Sequence, residues 1–151
     1  MSALDESATR DALAAALAAE HAAVWCHGLA SAFLPPSAQP ALASGAEAHR
    51  ARRDAVEALT EGAGLTAVVA AASYQVPAPV TDAASAARLL AVAEDDTAGA
   101  WRALLERTDD TDLRRTGLTA VAASAVAGVR WRTLAGRTPA VDTFPGTDAA
   151  G

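Results

Sequence analysis

The sequence predicts an all-α protein, a four-helix bundle in which a long crossover link joins the second and third helices. Hydrophobic residues make up 52% of the 151 residues but aromatic residues only 4%, and much of the remainder is alanine, the strongest helix former. Residues 64–81 carry no helical pattern, and they separate two pairs of long helix-patterned stretches. Because antiparallel neighbouring helices are joined by loops of roughly 2–8 residues, this link predicts that the second and third helices run parallel.

The link is long enough for such a crossover. An extended chain covers about 3.3–3.6 Å per residue, so residues 64–81 reach roughly 60 Å. A helix of about 25 residues is roughly 38 Å long. The link can therefore return along the bundle, and the resulting up-down-down-up order of helices is the one-crossover topology of ferritin-like folds.

The first two helices are bounded by capping residues, prolines and glycines. The first helix begins near Asp5–Ser7, where either end residue can cap it, and it ends before Pro35. The second helix starts after Ser37 or Pro40 and stops at Gly62–Gly64. Proline suits the first helical turn and glycine the position just past a helix end, so both boundaries follow from residue type.

The last two helices have clear start signals. The third helix starts at Thr81-Asp82 and continues to about Arg107. The run Thr108–Thr111 forms both a short loop and the cap of the fourth helix, which ends near Gly136.

One domain of ordinary size accounts for residues 1–151. Its ordered core covers about 6–135, and Phe144 is expected to pin the extended tail, 136–151, to the bundle. The net charge of −6 argues against nucleic-acid binding. No run approaches the ~18–20 consecutive apolar residues of a membrane span, and the acidic N-terminus is unlike a signal peptide. We therefore expect a cytoplasmic protein that contacts neither nucleic acid nor membrane.

Three helices carry stripes at a spacing of four and three residues, which face the core when helices pack at shallow angles. The first stripe consists of Leu13, Leu17, Glu20, Val24, His27, Ser31 and Leu34. The second consists of Leu42, Ala46, His49, Arg53, Val56 and Thr60, and the third of Leu90, Glu94, Thr97, Trp101 and Leu104. Each stripe has an ionisable residue near its middle, so these residues lie at similar heights in the bundle.

We interpret Glu20, His49, Arg53 and Glu94 as a polar layer in the core. Buried charges need partners, so Arg53 would neutralise one carboxylate and His49 would hydrogen-bond to the other. In a second interpretation, Arg53 extends to the solvated surface. In a third, Glu20, His49 and Glu94 bind a metal ion, with His21 or His27 as an additional ligand.

The sequence does not match a standard di-iron site. Such sites take a Glu from each of two helices and a Glu-x-x-His motif from each of the other two. Glu47 and His49 are separated by one residue instead of two, and the fourth helix, at 111–134, contains no Glu or His. We expect no cofactor, with iron or manganese as the alternative.

Two further features bear on partners. Cys26 is the single cysteine and is expected to be a small buried hydrophobe. The apolar stretch Leu65–Ala72 cannot be fully buried if the link crosses the outside of a bundle. Because exposed apolar patches often mark interfaces, we expect a homodimer. No residue pattern identifies a small-molecule ligand.

Several segments resemble an actinobacterial ferritin-like domain family of unknown function. They are AAEHAAVW at 18–25, AHRARRDAVEAL at 48–59, YQVPAPVTDAASAARLL at 74–90, AEDDTAGAW at 93–101 and FPG at 144–146. The resemblance implies a ferritin-like bundle and carries no known substrate. Together with the residues above, it leads us to expect a non-enzymatic bundle that acts through binding or self-association. The alternative is an iron- or manganese-dependent oxidoreductase, or an iron-binding protein, with a non-standard carboxylate and histidine site.

Overall fold

Four α-helices account for most of the residues that the computed structural model describes, which are Leu4 and 6–147. They are α1 (Ser7–Ala30), α2 (Gln39–Gly62), α3 (Ala83–Leu105) and α4 (Thr111–Leu134). A short 3₁₀ turn, Pro36–Ala38, precedes α2, and this described part of the chain contains no strand. The prediction of an all-α, four-helix protein is confirmed.

The helix boundaries follow from local residue chemistry. At the start of α3, the Asp82 side chain accepts a hydrogen bond from the Ser85 backbone N–H, and the Ser85 hydroxyl reaches back to the Asp82 N–H, which forms a capping box. At the start of α4, the Asp110 side chain accepts hydrogen bonds from the backbone N–H groups of Asp112 and Leu113. At α1 the cap position is Glu6, whose side chain makes no capping bond, while Asp5 lies outside the described residues. No α-helix within this range is long and apolar enough to cross a membrane.

Contacts between side chains give the relative direction of α1 and α2. His21 Nε2 lies 3.4 Å from Glu57 Oε1, near the end of α2. Further along α1, His27 lies against Gly45, near the start of α2. These two helices therefore run antiparallel.

Helix α3 is also antiparallel to α1. The Thr9 hydroxyl, at the start of α1, donates a hydrogen bond of 2.7 Å to the Arg107 carbonyl, just past the end of α3. Ala30, at the other end of α1, packs in the same apolar cluster as Leu90 of α3. Because α2 and α3 both oppose α1, they run parallel to each other.

Helix α4 returns along α3. Leu105, at the end of α3, lies against Gly117 of α4. Asp95, earlier in α3, pairs with Arg132 near the end of α4 at 2.7 Å. The helices therefore follow an up-down-down-up order, and the close helix pairs are α1 with α2, α1 with α3, and α3 with α4.

Residues 63–82 form the link between α2 and α3 without helix or strand. The link follows α1: the Val68 carbonyl lies 2.9 Å from His21 Nε2, and the Tyr74 ring lies 5.8 Å from the Trp25 ring. Three residues of its apolar stretch, Leu65, Ala67 and Val68, are partly buried against the core, while Val69 is 82% exposed. The link therefore runs the length of the bundle and covers part of α1.

The tail packs on α3, but Phe144 is not its anchor. Phe144 is 72% exposed, so the prediction that it pins the tail is wrong. The tail is held instead by Asp142, which lies 3.0 Å from the buried Arg132, and by Gly146, which lies against the Ala98 carbonyl. Gly146 has φ +77°, and a Cβ there would lie 2.7 Å from that carbonyl oxygen, so both backbone angle and contact require glycine. Residues 148–151 lie outside the described range.

Two apolar clusters fill the core, and a layer of polar side chains lies between them. One cluster contains Ala23, Leu90 and Trp131, and the other contains Leu17 and Leu104. Cys26 is buried, and burial first and the nearby Asp96 charge second raise its pKa to about 11. Its thiol therefore behaves as a small hydrophobe in the folded protein.

Candidate functional site

The carboxylate of Glu20 is the centre of the polar layer. Glu20 is completely buried on α1. Its Oε1 accepts hydrogen bonds of 2.6 Å from Arg52 Nε on α2 and of 2.6 Å from the Trp101 indole N–H on α3. Its Oε2 lies 2.7 Å from His49 Nδ1. Burial alone would raise the pKa of Glu20, but the His49 hydrogen bond and the Arg52 charge together lower it, so the carboxylate is ionised.

The imidazole of His49 lies between two carboxylates. Its Nε2 is 3.2 Å from Glu94 Oε1, on the side opposite Glu20. Burial alone would lower the pKa of His49, but the hydrogen bonds to Glu20 and Glu94 outweigh burial and raise it. Nδ1 also lies 2.8 Å from the Arg52 guanidinium, which has no acceptor. Because the ionised Glu20 needs a donor, the Nδ1 proton is directed to Glu20.

His27 lies one step further along α1, and its ring centroid is 4.9 Å from that of His49. Its Nδ1 donates a 2.8 Å hydrogen bond to the Ala23 carbonyl, which can only accept, so Nδ1 carries the proton. Its Nε2 is buried and has no hydrogen-bond partner among the residues described. Burial first and the nearby His49 second lower the pKa of His27, so the ring is neutral and Nε2 presents a lone pair.

Three atoms that can act as metal ligands therefore lie together in one buried space. One ligand atom each from His27, His49 and Glu94 lie within 4.8 Å of one another. When His49 is neutral and its proton on Nδ1 is directed to Glu20, the lone pair on its Nε2 faces the Glu94 oxygen. These two atoms then repel each other unless a proton or a metal ion lies between them. A proton on His49 Nε2 forms a hydrogen bond to Glu94, but His27 Nε2 then still has no partner, which is costly for a buried polar atom.

Gly45 of α2 makes room for His27. A Cβ at this position would lie 2.7 Å from His27 Nε2, a distance that real Cβ contacts do not reach. Glycine in a helix interior is destabilising by roughly 0.5–1 kcal/mol relative to alanine. Gly45 carries this cost, but only glycine at this position leaves room for the His27 imidazole.

The structure puts Arg52 in the layer, not Arg53. The Arg53 guanidinium pairs with its neighbour Asp54 at 2.7 Å and does not reach Glu20 or Glu94. Arg52 and Arg53 lie three and four residues after His49, so they flank its face on opposite sides. The heptad spacing favoured Arg53, but α1 lies on the Arg52 side. The prediction of Arg53 as the neutralising cation is therefore wrong.

The other sequence candidates divide into two groups. The structure brings Glu20, His49 and Glu94 together, and all three are buried. His21 turns away from the layer, towards the Val68 carbonyl and Glu57. Glu20 contacts His49 Nδ1 and not Nε2, so it orients this ring and is not one of the clustered ligand atoms, whereas His27 is. Sequence reasoning missed the role of Gly45, for which helix periodicity holds no signal.

Comparisons with known proteins identify relatives without a described activity. A family model described as a domain of unknown function (DUF4439) matches residues 12–149. The crystal structure of a conserved hypothetical protein, rv2844, from Mycobacterium tuberculosis is similar, with a TM-score of 0.82 and 43% sequence identity. The alignment covers 85% of this chain and 97% of that chain. A comparison with curated proteins gives no match.

Two adjacent arginines test the charge pairing in the layer. Replacing Arg52 by Gln removes the guanidinium that pairs with the buried Glu20 carboxylate, and breaking a buried pair typically costs about 3–5 kcal/mol. We expect Arg52→Gln to lower the free energy of unfolding by roughly that amount. Arg53→Gln should change it by less than about 0.5 kcal/mol, since its pair with Asp54 is at the surface. Chemical denaturation measures both, and equal effects would contradict the assignment of Arg52.

The pKa of His49 predicts a pH dependence for the metal-free protein. Because the folded pKa is raised above the ordinary value of 6.5, the stabilising effect of the charged ring is fully present below pH 6.5. It is lost as the pH rises through the folded pKa. We expect the difference in unfolding free energy between the wild type and His49→Gln to shrink above pH 6.5.

Thermal and chemical denaturation from pH 5 to 9 in the presence of a chelator provide this measurement. His27 has a lowered pKa and acts in the opposite sense, but the variant retains it, so its effect largely cancels in the difference. A difference that grows with rising pH would show that the charged form of His49 is not favoured by folding.

Proposed function

This chain belongs to the DUF4439 family, and we propose that it is a ferritin-like bundle that binds one divalent transition-metal ion between His27, His49 and Glu94. The observation that carries this proposal is the buried His27 Nε2, which has no partner in the described part of the chain. A proton can be shared by two of the three acceptors, whereas a metal ion satisfies all of them. The sequence alone favoured a layer without a cofactor, and the unpaired nitrogen shifts the proposal to the alternative.

The donor set fits such an ion. Two imidazoles and one carboxylate are the ligands of several zinc enzymes and of non-haem iron sites with open positions. Ligand atoms about 2.1 Å from a tetrahedral ion are roughly 3.4 Å apart. His49 Nε2 and Glu94 Oε1 are already 3.2 Å apart, and the whole set lies within 4.8 Å, so small side-chain movements suffice.

The hydrogen bonds made by the Nδ1 atoms of both histidines support the same proposal. Metal-binding histidines usually donate their other ring N–H to a carboxylate or a backbone carbonyl, which fixes the ring and its tautomer. The Nδ1 atoms of both histidines are held in this way, that of His49 by Glu20 and that of His27 by the Ala23 carbonyl. Each Nε2 is thereby left as the available ligand.

The chemistry of the site argues for one ion and against a di-iron centre. A di-iron centre takes carboxylates and histidines from all four helices. Within the described chain, α4 contains no Glu or His, and the Arg52 guanidinium contacts Glu20 where a second ion would need that carboxylate. We propose Fe²⁺ or Zn²⁺ as the bound ion, with the polar layer holding and orienting its ligands. The proposal retains the cytoplasmic location expected from the sequence.

The ferritin-like assignment is part of the proposal. It is supported by the parallel direction of α2 and α3 and by the link at 63–82, which runs the length of the bundle. One long crossover is the feature that distinguishes ferritin-like bundles from simple up-and-down bundles.

Self-association is a second candidate function. Leu118 and Val126 lie eight residues apart on α4 and are 64% and 72% exposed. With Val69 of the link, they are large apolar side chains left in solvent by a single chain. We expect a homodimer in sedimentation equilibrium and a shift towards monomer in Leu118→Glu/Val126→Glu. A wild-type protein that is monomeric at high concentration would exclude this candidate.

The metal proposal predicts opposite effects of one substitution on metal binding and on stability. His27→Leu removes a ligand and also removes an unpaired buried polar atom, which is costly by about 1–3 kcal/mol. We expect the metal-free variant to be at least as stable as the wild type, while the stabilisation conferred by Zn²⁺ is lost. At one hundred times the dissociation constant, that stabilisation should be about 2.7 kcal/mol in the wild type. Thermal unfolding with and without Zn²⁺ measures both quantities.

Two glycines provide a matched steric test. Gly45→Ala places a methyl group against His27 Nε2 and should weaken Zn²⁺ binding at least tenfold, since losing even a residue that only orients a metal ligand costs about 10–100-fold in affinity. Gly28→Ala adds the same methyl group on α1 with nothing within 4 Å and should leave Zn²⁺ affinity unchanged. Isothermal titration calorimetry compares them. One Zn²⁺ bound with equal affinity by the wild type, Gly45→Ala and His27→Leu would place the ion elsewhere and overturn the proposal.

A further inference from the structure

The bound ion would leave the buried layer with excess positive charge, and this inference rests on the proposed function. The ion and Arg52 together carry three positive charges, against one negative charge each on Glu20 and Glu94, while the two imidazoles are neutral ligands. A buried charge without a partner is strongly unfavourable. Three protein ligands also leave a tetrahedral ion with one open position. Both considerations call for an additional anionic ligand.

An open groove lies beside the site, between the start of α2 and the end of α4. Its volume is about 640 Å³. Ser44 and Ala41 form one wall, Arg130 and Leu134 form the other, and Trp131 lies at its base. The groove exists because α2 and α4 are not among the closely packed helix pairs of the bundle.

Only a thin layer of protein separates this groove from His27. Gly45 follows Ser44 on α2, is partly exposed, and has no side chain to cover His27 Nε2. Trp131 is buried, and its ring meets the His27 ring edge to face at a centroid distance of 6.4 Å. The groove is therefore next to the space that the ion would occupy, and Gly45 lies between the two.

The groove also has the charge that an anion requires. Arg130 is exposed, forms no ion pair in the described part of the chain, and is the arginine that lines this groove. An unpaired guanidinium at the entrance of a cleft attracts anions and binds carboxylates well. The remaining lining is mainly apolar, which suits a small organic group attached to the anion.

We infer that a small carboxylate-bearing molecule enters through the groove between Ser44 and Arg130 and completes the coordination of the ion held by His27, His49 and Glu94. The carboxylate supplies the negative charge that the layer lacks, and its organic part occupies the groove. Gly45 and Trp131 lie between the groove and His27 and must move apart to admit the carboxylate, and Arg130 draws the anion towards them.

The test uses the full-length protein loaded with Co²⁺, whose visible absorption bands respond to a change of ligand. Azide probes the open position, and acetate probes the carboxylate class. Acetamide, which has the shape of acetate without its charge, is the control. We expect saturable spectral changes with azide and acetate and none with acetamide.

Two pairs of variants locate the entrance. Arg130→Gln should raise the azide dissociation constant about threefold at low ionic strength, and the difference should fade in salt because the effect is electrostatic. Arg115→Gln, at the far end of α4 and paired with Asp112, should have no effect. Ser44→Phe should block the groove and slow azide binding, whereas Ala43→Phe, on the neighbouring exposed position, should not.

The outcomes separate this inference from the proposed function. If Co²⁺ binds with its ligands intact but its bands ignore azide and acetate, the inference is wrong and the metal site stands. If azide binds equally well in Ser44→Phe and Arg130→Gln, the anion enters elsewhere and the groove assignment is wrong. If Co²⁺ does not bind at all, the proposed function itself fails.

Discussion

The carboxylate of Glu20 is the contact on which the arrangement of the bundle depends. It is fully buried on α1, and it receives hydrogen bonds from Arg52 of α2 and Trp101 of α3 and fixes the ring of His49. Three of the four helices are therefore bound to one ionised group. Its burial is tolerated only because every partner is in place, which restricts the helices to one rotation and one height relative to each other.

Two features of the same layer lower the free energy of unfolding. A glycine within α2, near its start, and an unpaired imidazole nitrogen on α1 both cost free energy in a helical core. Leucine in place of His27 would remove the unpaired nitrogen, whereas alanine in place of Gly45 would clash with His27 Nε2. The joint presence of His27 and Gly45 beside His49 and Glu94 has a simple explanation if the space between them holds an ion. Local violations of folding rules commonly coincide with functional sites.

Much of the fold, but less of the site, could be predicted from the sequence. The crossover link and the start of α3 followed from residue types such as Asp82, and heptad spacing placed Glu20, His49 and Glu94 at one height. The spacing could not choose between Arg52 and Arg53, because that choice depends on the side of α2 against which α1 packs. It also could not show that the Nδ1 of His27 is satisfied by its own helix while its Nε2 is left unpaired, since this depends on the rotamer and on Gly45.

The metal site is tested most directly by anomalous diffraction from crystals of the wild-type protein grown with Zn²⁺, with data collected on both sides of the zinc absorption edge. We expect one strong anomalous peak, about 2.1 Å from the Nε2 atoms of His27 and His49 and a similar distance from a Glu94 oxygen. We also expect Glu20 to stay bound to Arg52 and Trp101. A core without a peak, in crystals where surface zinc sites are occupied, would contradict the proposed metal site and would leave the layer as a purely structural charge network.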